Sequence, residues 1–196
     1  MKSAEPVHYI TEEEYLEGEK RAEVKHEYYD GQVYPLVRQG FGPIQAMAGA
    51  SDDHELVALN MAAALLMHLR GKGCRVYKSD MKLRLKLNAK ALFYYPDVMV
   101  TCDPADADPL FRERPKLIVE VLSEDRKHDL VEKAAAYARI ESLEEYAIID
   151  PRKDSPEISL LRAAAGWEPE TVRGVDAEFT LTSVGLTLKM ADLFAV

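Results

Sequence analysis

The chain has 196 residues, 47% of them apolar, with 25 Lys and Arg against 34 Asp and Glu and a formal charge of −9. That composition suits one globular domain with a sizeable core and excludes long disorder. No apolar run reaches the roughly 18–20 residues that cross a bilayer, so a membrane-spanning protein is excluded, and net acidity argues against a protein that coats nucleic acid.

Met1 to Pro6 hold no apolar stretch of signal-peptide type, which points to a cytoplasmic protein. Thr11 with Glu14 forms a capping box, with Ile10 and Tyr15 as its staple, so a short helix is expected over about 11–20. Asp30-Gly31 sits between β-forming residues and predicts a hairpin. A Gly-rich loop follows from Gly40 to Gly49. Ser51 can cap the next helix, where Leu56, Leu59, Ala63, Leu66 and Met67 fall at helical spacing. Gly71 and Gly73 end it. Cys74 and Cys102 are too few for a disulfide framework or a Cys-rich zinc site and are expected to be reduced, packed thiols.

Strands are expected at about Arg75–Leu87, bent near Asp80, then at Tyr94–Thr101 and Leu117–Leu122, with a Pro- and Asp-rich loop over Asp103–Pro115. Asp129 opens a helix to about Ile140, with Asp129 and Glu132 placed for capping. Glu145–Ile149 is a short strand, Ile158–Arg162 and Gly166–Val172 a hairpin, and Met190–Phe194 a helical turn. No repeat or linker interrupts this order. The expectation is one domain over 1–196, its core at about 51–150. The fold class is α/β, a mixed sheet flanked by helices, with an N-terminal helix and hairpin and a C-terminal hairpin.

Charge is uneven. From Arg70 to Lys90 eight basic residues stand against one acid, Asp80, a local charge of +7. Within it Lys82, Arg84 and Lys86 alternate with Leu83, Leu85 and Leu87, the period of a strand with one basic face. That face is either solvated or a stripe that meets phosphates.

Leu117-Ile118-Val119-Glu120-Val121-Leu122 reads as a strand buried on both faces, and Glu120 breaks it. A lone ionised carboxylate there costs several kcal/mol and needs a cation, a basic side chain or a proton. Asp97 repeats the pattern in Tyr95-Pro96-Asp97-Val98-Met99-Val100. Two such acids can converge on one hard cation such as Mg²⁺. The alternatives are that Asp97 shapes the start of a strand and that Glu120 pairs with a neighbouring Arg or Lys. Lys133 on the following helix joins the pair as a third candidate, or else pairs with Asp129 at i, i+4 on the surface. His54 is a weaker candidate for capping or proton transfer. His8, His26, His68 and His128 have no ligand spacing, and no phosphate-binding Gly loop or nucleophile elbow is present.

Asp97 within Tyr-Tyr-Pro-Asp-Val, Glu120 within Val-Glu-Val-Leu-Ser, and Asp129, Lys133 and Tyr137 together resemble the PD-(D/E)XK nuclease superfamily. More narrowly the chain resembles the Uma-type restriction-endonuclease-like family. The likeness runs through Glu27–Gly31, Met47–Gly49 with Ser51 and His54, Ser79-Asp80, Glu145-Tyr146, Asp150 and Ala191–Phe194. The resemblance implies a restriction-endonuclease-like fold. It implies Asp97 and Glu120 as ligands of Mg²⁺ or Mn²⁺, with Glu27 as an added carboxylate. The superfamily lysine belongs two residues after the glutamate, where this chain has Leu122; Lys133 takes its place in the Uma-type pattern. The implied activity is metal-dependent hydrolysis of DNA phosphodiester bonds by a homodimer, with Lys82, Arg84 and Lys86 on the DNA backbone. The other readings are a nuclease-fold module that binds nucleic acid or a partner without cleaving, and a metal-dependent enzyme acting on another phosphorylated substrate.

Overall fold

A computed structural model describes residues 9–38, 45–46, 52–88, 90–122 and 129–195. The expected Ser51 cap, most of the Gly40–Gly49 loop, His8 and His128 lie outside these residues, as do the side chains of Asp129 and Glu132. The chain divides into two compact units, Met1–Ala48 with Arg84–Tyr94, and Gly49–Leu83 with Tyr95–Val196. Among the described residues no helix is long and apolar enough to cross a membrane.

The first unit opens with α1 (Glu12–Glu19). Thr11 Oγ1 accepts from the Glu14 N–H and the Glu14 carboxylate accepts from the Thr11 N–H, so the capping box closes. The hairpin of β1 (His26–Tyr29) and β2 (Gln32–Pro35) turns through Asp30 and Gly31 at φ 46° and 88°. This left-handed pair is what a two-residue turn requires. At Gly31 a Cβ would also run into the Tyr9 ring. A two-residue ladder follows, β3 (Val37–Arg38) with β4 (Gln45–Ala46). The chain then enters the second unit with α2 (Asp52–Leu69) and β5 (Arg75–Lys78). The unit boundary falls within β6 (Lys82–Leu87), after Leu83. β7 (Lys90–Tyr94) completes the first unit by pairing with β1. Tyr15, Tyr28 and Phe93 form its aromatic core, with ring centroids 5.0, 5.1 and 5.8 Å apart.

The expected strand over Arg75–Leu87 is thus two strands, broken at residues 79–81, where Ser79 takes φ 54°. Leu83 and Leu85 are buried as the alternation requires. Their basic neighbours differ from one another. Lys86 is exposed. The Lys82 ammonium sits 5.3 Å from the centre of the Tyr95 ring. Arg84 is held by Glu12 through Nε at 2.7 Å and NH2 at 2.6 Å, partly buried.

The second unit continues with β8 (Val98–Thr101), β9 (Phe111–Arg112), β10 (Pro115–Val121), α3 (Asp129–Tyr137), β11 (Glu145–Asp150), β12 (Glu157–Arg162), β13 (Pro169–Arg173), β14 (Glu178–Leu181) and β15 (Leu186–Lys189). It closes with a 3₁₀ turn at Met190–Phe194. Six strands form one mixed sheet in the order β13-β12-β11-β10-β8-β5. β10 and β11 are parallel and joined through α3; the other neighbours are antiparallel. The register puts Val98, Val100, Leu117, Val119, Val121, Ala147, Ile149, Ile158 and Leu160 on one face, packed with Val57, Met61, Leu65 and Leu69 of α2. The mixed α/β class, the N-terminal helix and hairpin, and the β12–β13 hairpin match the sequence expectation. The β14–β15 hairpin was not anticipated.

Two expectations need correction. The residues of α2 that pack on the sheet are Val57, Ala58, Met61, Leu65 and Leu69, whereas Leu59, Leu66 and Met67 are more than half exposed. The helix carries two apolar stripes, and the sheet covers only one. Cys74 and Cys102 are not free thiols; they form a disulfide with S–S 2.04 Å. Register explains the meeting: Arg75 pairs with Thr101 across β5 and β8, so the next residues outward, Cys74 and Cys102, stand opposite each other.

Because Arg84 is fixed by Glu12 and Lys86 is exposed, alanine at the two positions should act differently. Arg84→Ala should lower stability by about 1 kcal/mol, the upper end for such pairs, and Lys86→Ala should leave it unchanged. Urea denaturation of both variants checks this.

Candidate functional site

Opposite the α2 face, the sheet turns Met99, Ile118, Tyr146 and Ile148 toward α3. Ile118 pairs with Met99 on one side and Tyr146 on the other. Glu120 lies two residues on from Ile118, hence on the same face. Val119 pairs with Val98, so continuing the antiparallel register one step sets Asp97 across from Glu120. Cβ atoms at directly opposite positions are typically about 4.5–5.5 Å apart. Two acids separated by 23 positions in sequence thus become neighbours at one end of the sheet, beside the C-terminal end of β10. Both are buried, at 6% and 2% exposure.

Each carboxylate is fixed by a donor. Asp97 Oδ2 accepts from the Val121 N–H at 2.8 Å, which ties it to the neighbouring strand. His54, buried in the first turn of α2, places Nε2 3.3 Å from the same oxygen. Glu120 Oε1 accepts from the Tyr137 hydroxyl at 3.0 Å. Lys133 is 4% exposed and stands one helical turn before Tyr137, on the same side of α3. Lys133 is therefore not a solvated surface lysine.

Tyr146 extends the cluster. Its ring meets Tyr137 edge to face at 5.2 Å. Its buried hydroxyl has no hydrogen-bond partner among the described residues. Burial, and then the negative charge of Glu120 and Asp97, push its ionisation well above the ordinary phenol range. The Tyr146 hydroxyl therefore stays neutral.

Glu27 is in β1 of the first unit, paired in register with Tyr34. Asp80 lies within the break between β5 and β6, with its N–H on the Lys78 carbonyl. Glu145, passed over in the sequence, is fully buried, but its carboxylate is spoken for: Arg162 Nε at 2.7 Å, Ser183 N–H at 3.0 Å and Ser183 Oγ at 2.9 Å. Of the other residues at the site, sequence reasoning gave Tyr137 as part of the family motif without a role at the site and left His54 open. It missed Tyr146. The signal available was the parallel β10–α3–β11 arrangement, which aligns Tyr146 with Ile118 and so with the face of Glu120.

Among the described residues no group of three or more His, Cys, Asp and Glu is arranged to hold a metal ion. Asp97 and Glu120 supply hard oxygen donors without soft ones. That set suits Mg²⁺ or Mn²⁺, and Mg²⁺ commonly takes one or two protein carboxylates and completes its shell with water and phosphate oxygens.

Comparison with known proteins gives the same fold. The Uma2 family, described as "Putative restriction endonuclease", matches residues 12–191. Two proteins of Synechocystis sp. are similar. Uncharacterized protein slr1290 is 35% identical over 77% of this chain and 73% of its own length. Uncharacterized protein sll1609 is 31% identical over 72% and 75%. A solved structure from Anabaena variabilis, titled a putative nuclease belonging to DUF820, superposes with a TM-score of 0.64 at 16% identity, covering 91% of this chain and 96% of that one.

A buried hydroxyl without a partner contributes no hydrogen bond, so Tyr146→Phe should be neutral or slightly stabilising at pH 7. The raised ionisation has a sign: the folded chain holds this proton more tightly than the unfolded one. Its contribution is complete below the ordinary phenol pKa of about 10 and is lost as pH rises beyond it. Stability measured by urea at pH 8 and pH 11 should therefore fall less in Tyr146→Phe than in the parent. An equal fall in both would place the hydroxyl in an ordinary, solvated setting.

Proposed function

The chain belongs to the Uma2 restriction endonuclease family, and we propose that it is a divalent-metal-dependent endonuclease that hydrolyses DNA phosphodiester bonds. The observation that carries this reading is the pairing of two buried carboxylates on adjacent strands with a buried lysine on the helix that follows. In this proposal Asp97 and Glu120 hold Mg²⁺ or Mn²⁺. Such an ion, when bound, lowers the pKa of water and neutralises charge on the scissile phosphate.

The chain's own groups then have distinct tasks. The Val121 N–H and the His54 ring fix the Asp97 carboxylate, and the Tyr137 hydroxyl fixes that of Glu120. The Lys133 ammonium orients the attacking water or stabilises the charge that builds on the phosphoryl oxygens. Backbone contacts carry no sequence information, and Lys82 and Lys86 supply them in this proposal. Arg84 joins only by leaving Glu12. Two copies, one site each, would let the enzyme address both strands of a duplex.

One observation favours a second reading, a nuclease-fold module that binds nucleic acid or a partner without cleaving it. Leu122 occupies the place where the superfamily carries its lysine. Cleavage of plasmid and linear DNA in Mg²⁺ and in Mn²⁺, alongside calorimetric metal binding, separates the two. On the first reading Glu120→Gln abolishes cleavage and weakens metal binding while the fold persists, because the amide oxygen still accepts from Tyr137. Lys133→Met should cut turnover by orders of magnitude with metal binding retained. Parent-level cleavage by Lys133→Met would remove the lysine from the mechanism. DNA binding without cleavage in either metal would select the second reading.

Neutralising Lys82 and Lys86 should weaken DNA binding at low salt. It should also flatten the salt dependence, by about one released counterion for each phosphate that a lysine no longer neutralises. An unchanged slope would return both residues to a solvated face.

A further inference from the structure

Helix α2 has more apolar surface than the sheet covers. Leu59, Leu66 and Met67 are 55%, 52% and 65% exposed. They form a continuous stripe with Ala63, also exposed, because positions 59, 63, 66 and 67 lie three or four residues apart. Three large apolar side chains more than half in water on one helix are uncommon on a monomer and mark a contact surface. The stripe is bounded by opposite charges. Glu55 stands one turn before Leu59, its side chain 57% exposed, and Arg70 stands one turn after Leu66 and is exposed.

We propose that this stripe is where two copies of the chain dimerise, with the α2 helices antiparallel across a twofold axis beside Ala63. The arrangement fixes the register. Leu59 packs against the partner's Met67, and Ala63 meets the partner's Ala63 on the axis, where a small side chain lets the helices approach. Glu55 comes within one residue of the partner's Arg70 at each end, about 22 Å apart along the helix by the rise per residue. Parallel helices would set Glu55 against the partner's Glu55 and Arg70 against the partner's Arg70. The charges therefore favour the antiparallel pair, and so do the opposed helix dipoles. Within its own chain Glu55 accepts from Lys78 Nζ at 2.8 Å through Oε2, and its Oε1 lies 3.8 Å from His54 Nδ1, so the partner's Arg70 would join an existing charge cluster. A stripe with an acid, Glu55, at one end on a chain of net charge −9 is poorly suited to an anionic membrane surface, which selects basic faces.

The test is sedimentation velocity of the full chain over a hundredfold range of concentration. The parent should show a reversible monomer–dimer equilibrium. Met67→Glu, at an exposed position that the fold does not use, should raise the dissociation constant at least tenfold with an unchanged far-UV spectrum and melting temperature. Ala63→Cys should form a disulfide-linked dimer under mild oxidation, and Glu141→Cys, at an exposed turn, should not. A parent that stays monomeric throughout, including one that binds lipid vesicles, would overturn the proposal. So would a Met67→Glu chain that dimerises like the parent. A dimer in which Ala63→Cys fails to cross-link would overturn the axis. None of these readouts uses DNA cleavage, so the result stands apart from the catalytic reading.

Discussion

Asp97 and Glu120 face each other across neighbouring strands, and neither is in water. Like charges held that way repel, and each also loses its hydration. The structure around them answers that cost. A backbone N–H and a histidine ring meet Asp97, a tyrosine hydroxyl meets Glu120, and a buried lysine lies one turn away on the same helix as that tyrosine. The site at the end of β10 is therefore an arrangement in which strand, following helix and the start of α2 all bring donors to one pair of acids. Glu145 shows the contrast. It too is a fully buried carboxylate, but Arg162, Ser183 and Thr182 surround it as a closed structural network.

The acids were legible in the sequence because an isolated charge in an apolar strand is costly and conspicuous. Their convergence was expected from the two matching strands, and the register of β8 against β10 is what brings it about. Tyr146 was hidden: only the parallel alignment of β10 with β11 brings it to the face of Glu120. Local signals read more cleanly. The Thr11–Glu14 capping box and the Asp30-Gly31 turn need only neighbouring residues and formed as expected. Arg84 read as one of three equal charges, and its Glu12 partner lies 72 positions away. The cysteines likewise met through strand pairing that their spacing of 28 does not reveal.

Helix α2 carries the sharpest of these lessons. Helical spacing picks out Leu59, Ala63, Leu66 and Met67 as readily as Val57, Met61, Leu65 and Leu69. Periodicity locates an apolar face but does not say whether the chain's own sheet covers it. Here the better-covered stripe also carries His54 into contact with Asp97. The same helix thus anchors the core, reaches the acids and leaves a second face outward.

The first unit is built from two separated stretches of chain. Its aromatic core joins Tyr15 and Tyr28 to Phe93, and all of α2 and β5 are translated in between. During synthesis the N-terminal hairpin cannot complete that core from its own residues. β1 must wait, with one edge open, until β7 has left the ribosome. Vectorial folding, in which early residues settle first, is therefore closed to this unit. Its assembly is coupled to the emergence of a segment that is itself flanked on both sides by the second unit.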